Sequence, residues 1–275
     1  MSVCYIVAVS GGVDSVSLLD MMVRSKASRD IIVAHFDHGI RDDSREDARF
    51  VERLAKLYGL PFYTKREELG SGTGESLARE RRYAFLRELA KRSDGHIVTA
   101  HHEDDLAETV AINVHRGTGW RGLAVLDSDV LRPLLHMSKQ DLINYAQRHG
   151  LEWREDSTNN SDAYLRNRLR PRISQLPRET RKELAHLRQR QQDVKRQIEE
   201  EVRTIMGAGP LYGRYTLTHI PRKIAHECLR VVTSGRLTRP QIDRMLLAIK
   251  TAQPGHTYEA GSGITLQFSA RYFTL

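Results

Sequence analysis

Cysteine is nearly absent: Cys4 and Cys228 are the only two in 275 residues, and neither sits in a Cys-x-x-Cys pair. That argues against a disulfide framework, a zinc site and an iron–sulfur cluster, and leaves both as expected buried apolar residues. Long hydrophobic runs are missing as well. The apolar run Val3 to Val9 has no basic lead and is too short for a signal peptide or a membrane span, so the expectation is a cytoplasmic chain with no membrane partner. There is no internal repeat and no low-complexity tract. Two familiar glycine signatures are also lacking, the Gly-Lys-Ser/Thr ending of a Walker loop and the dinucleotide fingerprint. What remains is ordinary in bulk: 40% hydrophobic residues and enough length for one large domain and a smaller one.

Charge is unevenly placed. The net charge is +8, and the stretch from Tyr164 to Arg196 holds eleven Lys and Arg against three acids, so it carries the whole excess. A solvated helix face mixes its charges, and an excess of one sign in one stretch points to a polyanionic partner. Pro171 and Pro177 divide it into a basic lead around Arg166, Arg168 and Arg170 and a long helix from Arg178 to Met206 that carries Arg181, Lys182, Arg188 and Arg190.

Strand and helix patterns alternate through the first part. Strands are expected at Val3 to Val9, Ile31 to Phe36, Pro61 to Thr64 and His96 to Ala100. Helices are expected from near Val13 to Ser25, then at Asp43 to Tyr58, Glu75 to Arg92, Asp104 to His115 and Ser138 to Arg148. That order predicts an α/β domain, a parallel sheet with helices on both faces, over residues 1–177. Ligands of such sheets sit beyond the carboxyl ends of the strands. Three strands end in chemistry: the first in Ser10-Gly11-Gly12, the second in Asp37-His38-Gly39, the fourth in His101-His102. Residues 178–275 read as a small α+β domain. It opens on the long basic helix, continues with helices at Lys223 to Thr233 and Arg239 to Lys250, and closes on short antiparallel strands at Thr257 to Ala260, Ile264 to Phe268 and Arg271 to Leu275.

Ser10-Gly11-Gly12-Val13-Asp14-Ser15 links a strand to a helix. Two glycines let the backbone curl around an anion, the serines add donors, and the helix aims its unpaired N–H groups at the same point. A plain strand-to-helix turn is the competing account. The segment from His101 to Thr109 holds two His and four acids. The His pair is adjacent, without the i, i+4 spacing of a zinc face. Asp105 and Glu108 fall on one helix face at i, i+3. Acids in a first turn also suit the helix dipole without any function. Beside a phosphate site, however, two carboxylates repel the ligand unless they address a cation, either Mg²⁺ or a cationic substrate.

The loop SGGVDS resembles the pyrophosphate loop of the ATP-pyrophosphatase superfamily. Together with Phe36-Asp37-His38-Gly39-Ile40-Arg41, HHEDDLAET, Arg116-Gly117-Thr118-Gly119 before Gly122-Leu123, Arg132-Pro133-Leu134-Leu135, Trp153 to Asn159 and Tyr164 to Arg170, it follows the order seen in bacterial tRNA(Ile)-lysidine synthetases. The resemblance covers about Val7 to Arg170. It implies an adenine nucleotide alpha hydrolase-like fold, and the remainder looks like the short form of the family with one small tRNA-docking domain.

By this resemblance the enzyme adenylates the C2 oxygen of the wobble cytidine of a CAU-anticodon tRNA(Ile), and the ε-amine of free L-lysine then displaces AMP. Ser10, Gly11, Gly12, Val13, Asp14 and Ser15 would hold ATP, with Asp14 also contacting Mg²⁺. Asp105 and Glu108 would hold the lysine ammonium groups with His101 nearby, and Arg116 would sit on the nucleotide or cytidine side. For Asp37 and His38 an orienting role is preferred over that of general base. Arg166, Arg168, Arg170, Arg181, Lys182, Arg188 and Arg190 would contact tRNA, and a homodimer is compatible with the sequence. The other readings are a tRNA thiolase of the same superfamily, which would need a cysteine near the loop, and a non-catalytic, nucleotide-dependent tRNA-binding protein.

Overall fold

Strand β1 (Cys4–Ala8) sends Ile6 to one face of a sheet and Val7 to the other, and both are fully buried. A strand covered on both faces reads as a continuous apolar run, the mark of a parallel sheet between helices. The computed structural model has that architecture; it describes residues 3–25, 30–39, 44–70, 74–126, 129–154, 173, 175–207 and 209–275. Alongside β1 lie β2 (Ile31–Asp37), β3 (Phe62–Arg66), β4 (Gly95–Val98) and β5 (Val130–Leu131), in the order β3-β2-β1-β4-β5 with every pairing parallel. The three strands whose ends hold candidate site residues are therefore the three central ones, and their carboxyl ends share one edge. β5 leaves no trace in the sequence pattern, because two residues are too few for an alternation to register.

Side-chain alternation sorts the sheet's two faces. Val7, Val9, Val33 and Val98 pack with Leu18 and Leu19 of α1 (Val13–Arg24), Val51 and Ala55 of α2 (Ser44–Leu57) and Leu142 of α5 (Lys139–Arg148). Ile6, Ala34, Phe36 and Ile97 pack on the other side with Tyr83, Phe85, Leu86 and Leu89 of α3 (Glu75–Arg92). The helix α4 (Glu103–His115) follows β4 and buries Leu106, Ala107 and Val110. One buried carboxylate ties the first group of helices together. Asp20 of α1 accepts from the hydroxyls of Tyr58 (2.7 Å) and Tyr145 (2.6 Å) and from Arg24 (2.7 Å), which offsets the cost of burying its charge.

The chain divides into two packed units, Met1–Gln191 and Gln192–Leu275. The division falls inside the helix α6 (Arg178–Met206), where the sequence pattern sets it before that helix at residue 177. The reason lies in where α6 is anchored. Arg181 and Arg188 bond to groups of the first unit, while Val202 and Met206 belong to the core of the second. That second core packs α7 (Arg214–His219), α8 (Arg222–Val232) and α9 (Arg239–Thr251) with a four-stranded antiparallel sheet. The sheet comprises β6 (Leu211–Gly213), β7 (Thr257–Gly261), β8 (Ile264–Phe268) and β9 (Tyr272–Thr274), in the order β6-β9-β8-β7. Among the described residues no helix is long and apolar enough to cross a membrane.

Candidate functional site

The loop after β1 is shaped by its own serines. Ser15 Oγ donates to the Gly12 carbonyl (2.9 Å) and accepts the Ser10 N–H (3.2 Å), closing the turn. Gly11 has φ +97°, a conformation that favours glycine, and a Cβ there would sit 3.4 Å from Phe50. Gly12 is the N-cap of α1 and provides no side-chain acceptor, so the first N–H groups of that helix face outward past the strand edge. The loop is also held from outside. The Arg154 N–H donates to the Gly11 carbonyl (3.0 Å), and its guanidinium pairs with Asp47 and with Glu46 (3.2 Å).

Next to this loop, α4 begins one residue earlier than its sequence suggests, and that shift makes His102 the N-cap. His102 Nδ1 accepts the Asp104 N–H (3.3 Å), while Asp105 Oδ2 accepts the His102 N–H (3.1 Å), a reciprocal capping box. The imidazole is buried among carboxylates: Nε2 lies 3.4 Å from Asp105 and 3.8 Å from Asp14, and Nδ1 lies 3.5 Å from Asp104. Burial opposes its charge, but the acids outweigh burial and raise its pKa; the neutral ring accepts the Asp104 N–H at Nδ1, whereas the charged ring donates from Nδ1 to the Asp104 carboxylate instead. Asp104 is held down to about 2, chiefly by His102 and also by the Lys139 N–H at 2.8 Å. His101 behaves oppositely. Burial pushes it down to about 3, so it is a neutral ring bonded to Thr99 Oγ1 at 2.8 Å.

Asp14, in the first turn of α1, receives the Lys139 ammonium on both oxygens at 2.7 Å. Lys139 opens α5 behind a second capping box, Ser138 with Asp141. Glu108 lies one turn along α4 from Asp105 and is buried at 3% exposure. At the end of β2, Asp37 accepts the Gly39 N–H (2.8 Å) and the Arg66 guanidinium (2.6 Å). With both oxygens engaged, Asp37 braces the turn. The His38 ring packs edge-on against Phe36 at 4.8 Å. Arg116 caps the far end of α4, exposed and about 20 Å along the helix from His102, so the structure does not bring it to the loop.

Similarity to known proteins bears on this geometry directly. Residues 2–177 match the PP-loop domain family, well over half the chain.

The chain belongs to the PP-loop domain family.

A tRNA(Ile)-lysidine synthase of Thermus thermophilus is 43% identical over 173 residues, covering 60% of this chain and 34% of that protein. One from Neisseria meningitidis serogroup B is 35% identical over 241 residues, 80% of this chain and 56% of that protein. The chain thus spans between about a third and just over half of these relatives' lengths. The U34-tRNA thiolase NcsA from Methanococcus maripaludis shares the fold, with a TM-score of 0.59 at 15% identity over 70% of this chain and 72% of that one.

The basic stretch divides by task. Arg181 lies 3.4 Å from both Glu103 and Asp104, mostly buried, and Arg188 Nε donates to the Val125 carbonyl at 2.8 Å. Lys182 is exposed and pairs with Glu179 at 3.1 Å, and Arg190 is exposed. Arg166, Arg168 and Arg170 lie outside the described residues. Sequence reasoning passed over His102, Lys139 and the inward role of Arg181. The Ser-x-x-Asp box before Lys139 is legible in the sequence, whereas the reach of Lys139 and Arg181 across the fold is not.

The acid-rich start of α4 makes stability depend on pH in two directions. His102, raised in the folded state, contributes stability that is complete below its unfolded value of about 6.5 and is lost as pH rises through its folded value. Asp104, depressed, contributes stability above about pH 4 that is lost as pH falls toward 2. Thermal melting should therefore show wild type losing more stability than His102→Gln as pH rises above about 6.5. Parallel curves would mean that His102 carries no charge in the native protein.

Proposed function

We propose that this PP-loop protein is an ATP-dependent ligase that joins L-lysine to the wobble cytidine of tRNA(Ile) with a CAU anticodon. In the first step the C2 oxygen of cytidine bonds to the α-phosphorus of ATP and pyrophosphate leaves. In the second the lysine ε-nitrogen attacks C2, AMP departs with the oxygen, and the nitrogen loses a proton. Adenylation turns a poor leaving group into a good one, and the outward N–H groups of the loop stabilise the charge that develops on pyrophosphate. The observation that carries the reading is the His102 junction. It lies 3.8 Å from Asp14, in the loop that would hold polyphosphate, and 3.4 Å from Asp105, one of the acids that would receive an ammonium group, which supports placing both substrates at one strand edge. The names of the relatives agree with it.

On this reading Ser10 to Ser15 hold ATP, Asp105 and Glu108 receive the ammonium groups, and neutral His101 lies beside them without repelling them. The site suits Mg²⁺, because Asp14 already holds one cation, the Lys139 ammonium, beside the phosphate loop. Asp14 would hold the ion together with phosphate oxygens, and the ion would neutralise charge on the pyrophosphate. The second unit would dock tRNA, and both substrates meet in the cytoplasm. The thiolase reading finds no support in the cysteines. Cys4 opens β1, about 20 Å of strand from Ser10, and burial, then Asp30, raises its thiol pKa; Cys228 is buried in the second unit. Incubation with tRNA, ATP and labelled lysine or labelled sulfur decides: lysine label in RNA supports the ligase, and sulfur label or no label removes it.

The split within α6 predicts different mutant behaviour. Changing Lys182 and Arg190 to Gln should weaken tRNA binding and flatten its salt dependence, by up to about 0.9 in slope for each phosphate that is no longer neutralised. Arg181→Gln should instead lower the melting temperature, since it leaves Glu103 and Asp104 without that partner. A salt series of tRNA affinities reads this out. An unchanged slope in the Lys182 and Arg190 variant moves the docking surface elsewhere.

A further inference from the structure

The serines close the loop after β1, but the orientation of one of its peptides is decided elsewhere. A trans peptide points its C=O and its N–H to opposite sides, so whatever holds the Gly11 carbonyl also sets the direction of the Gly12 N–H. The Arg154 N–H holds that carbonyl at 3.0 Å. On the other side the Gly12 N–H reaches Ser10 Oγ at 3.5 Å, beyond ordinary hydrogen-bond length, and so stays open to an anion. Glycine at both ends makes this peptide easy to turn. Rotating it by half a turn carries Gly12 from φ −73° to the positive side, a change that glycine accepts and other residues resist. The rotated peptide would present a carbonyl to the phosphates in place of an N–H, and so repel them.

Arg154 is itself held in place. Asp47, Phe50 and Val51 share one face of α2, at i, i+3 and i+4. Gly11 rests against the last two, since a Cβ there would stand 3.4 Å from Phe50 and 3.7 Å from Val51. Asp47 receives the Arg154 guanidinium, with Glu46 alongside at 3.2 Å. The Asp47 side chain is mostly buried, which makes this pair a firmer tie than a surface ion pair. With two carboxylates beside it, the guanidinium is neutralised and offers no free charge to a phosphate. Its effect passes through its own backbone, which it keeps against the loop.

We propose that Arg154 is a positioning residue for the phosphate loop: pinned to Asp47, it fixes the Gly11–Gly12 peptide so that the Gly12 N–H faces the polyphosphate. The inference rests on the reading of this loop as the ATP phosphate site and adds to it the residue that orients one of its donors.

The test titrates ATP, inorganic pyrophosphate and adenosine on the full chain and measures the lysine KM in the ligation assay. Arg154→Gln should weaken ATP and pyrophosphate binding about 10- to 100-fold, the range for a hydrogen bond to a charged group, and leave adenosine affinity and the lysine KM unchanged. Asp47→Ala should reproduce this pattern from the other side of the pair. The double variant should be no worse than either single one, because each removes the same anchor. Arg154→Lys keeps a cation for Asp47 and should recover part of the loss. A folded Arg154→Gln that binds ATP as wild type does overturns the proposal. So does an equal loss of ATP and adenosine affinity, which would make Arg154 a support of the fold alone. Should Arg154→Gln fail to fold, Asp47→Ala and Arg154→Lys carry the same comparison. Wild type that binds ATP no more tightly than adenosine is a different failure, that of the phosphate-loop reading itself, and the role of Arg154 goes with it.

Discussion

Asp14→Ala is expected to abolish pyrophosphate release while the protein keeps its fold and its affinity for tRNA. The side chain is 27% exposed, so truncation leaves no internal cavity, and α1 keeps its burial through Leu18, Leu19 and the Asp20 network. What is lost is electrostatic. Asp14 fixes the Lys139 ammonium beside the loop after β1, and on the proposed function it would also offer a carboxylate to a second cation, both set against charge that grows as pyrophosphate leaves. Removing one such interaction costs about 100- to 1,000-fold in turnover, and here two depend on one residue. A folded variant that retained most of the wild-type release would remove Asp14 from the adenylation step.

Asp105→Asn should act on the other substrate. The asparagine oxygen still accepts the His102 N–H, so the capping box survives and α4 starts where it did. The negative charge does not survive, and a buried ammonium left half-paired loses about 3–5 kcal/mol, so the lysine KM should rise by at least about 100-fold. ATP use should hold or improve slightly, as a charge that repels phosphate is gone. If Asp105 addresses Mg²⁺ instead, the pattern reverses, with ATP use failing first and lysine affinity unchanged. Measuring both constants on one variant separates the two.

The sheet was legible because its strands are apolar and followed by periodic helices, and the three loops with candidate site residues sit where a parallel sheet must put them. The site was legible to the extent that it is local. Glycine at positive φ in the phosphate loop and the i, i+3 acids of α4 are properties of neighbouring residues. The tasks of those acids are not. Asp105 serves the helix cap as well as facing His102, and Glu103 and Asp104 hold Arg181, a residue the charge pattern alone assigns to an outside partner. A count of basic residues cannot distinguish an arginine that meets solvent from one turned inward onto carboxylates 77 and 78 positions earlier. Lys139 was missed for the same reason, since only the packing of α5 against α1 brings its ammonium to Asp14.

The helix α6 belongs at one end to the first core, through Arg181 and Arg188, and at the other to the second, through Val202 and Met206. Its amides are thus expected to divide between two unfolding units. Opening of the first unit frees the leading turns to exchange hydrogen with solvent while the last turns stay protected, and opening of the second does the converse. One continuous helix therefore has no single stability of its own.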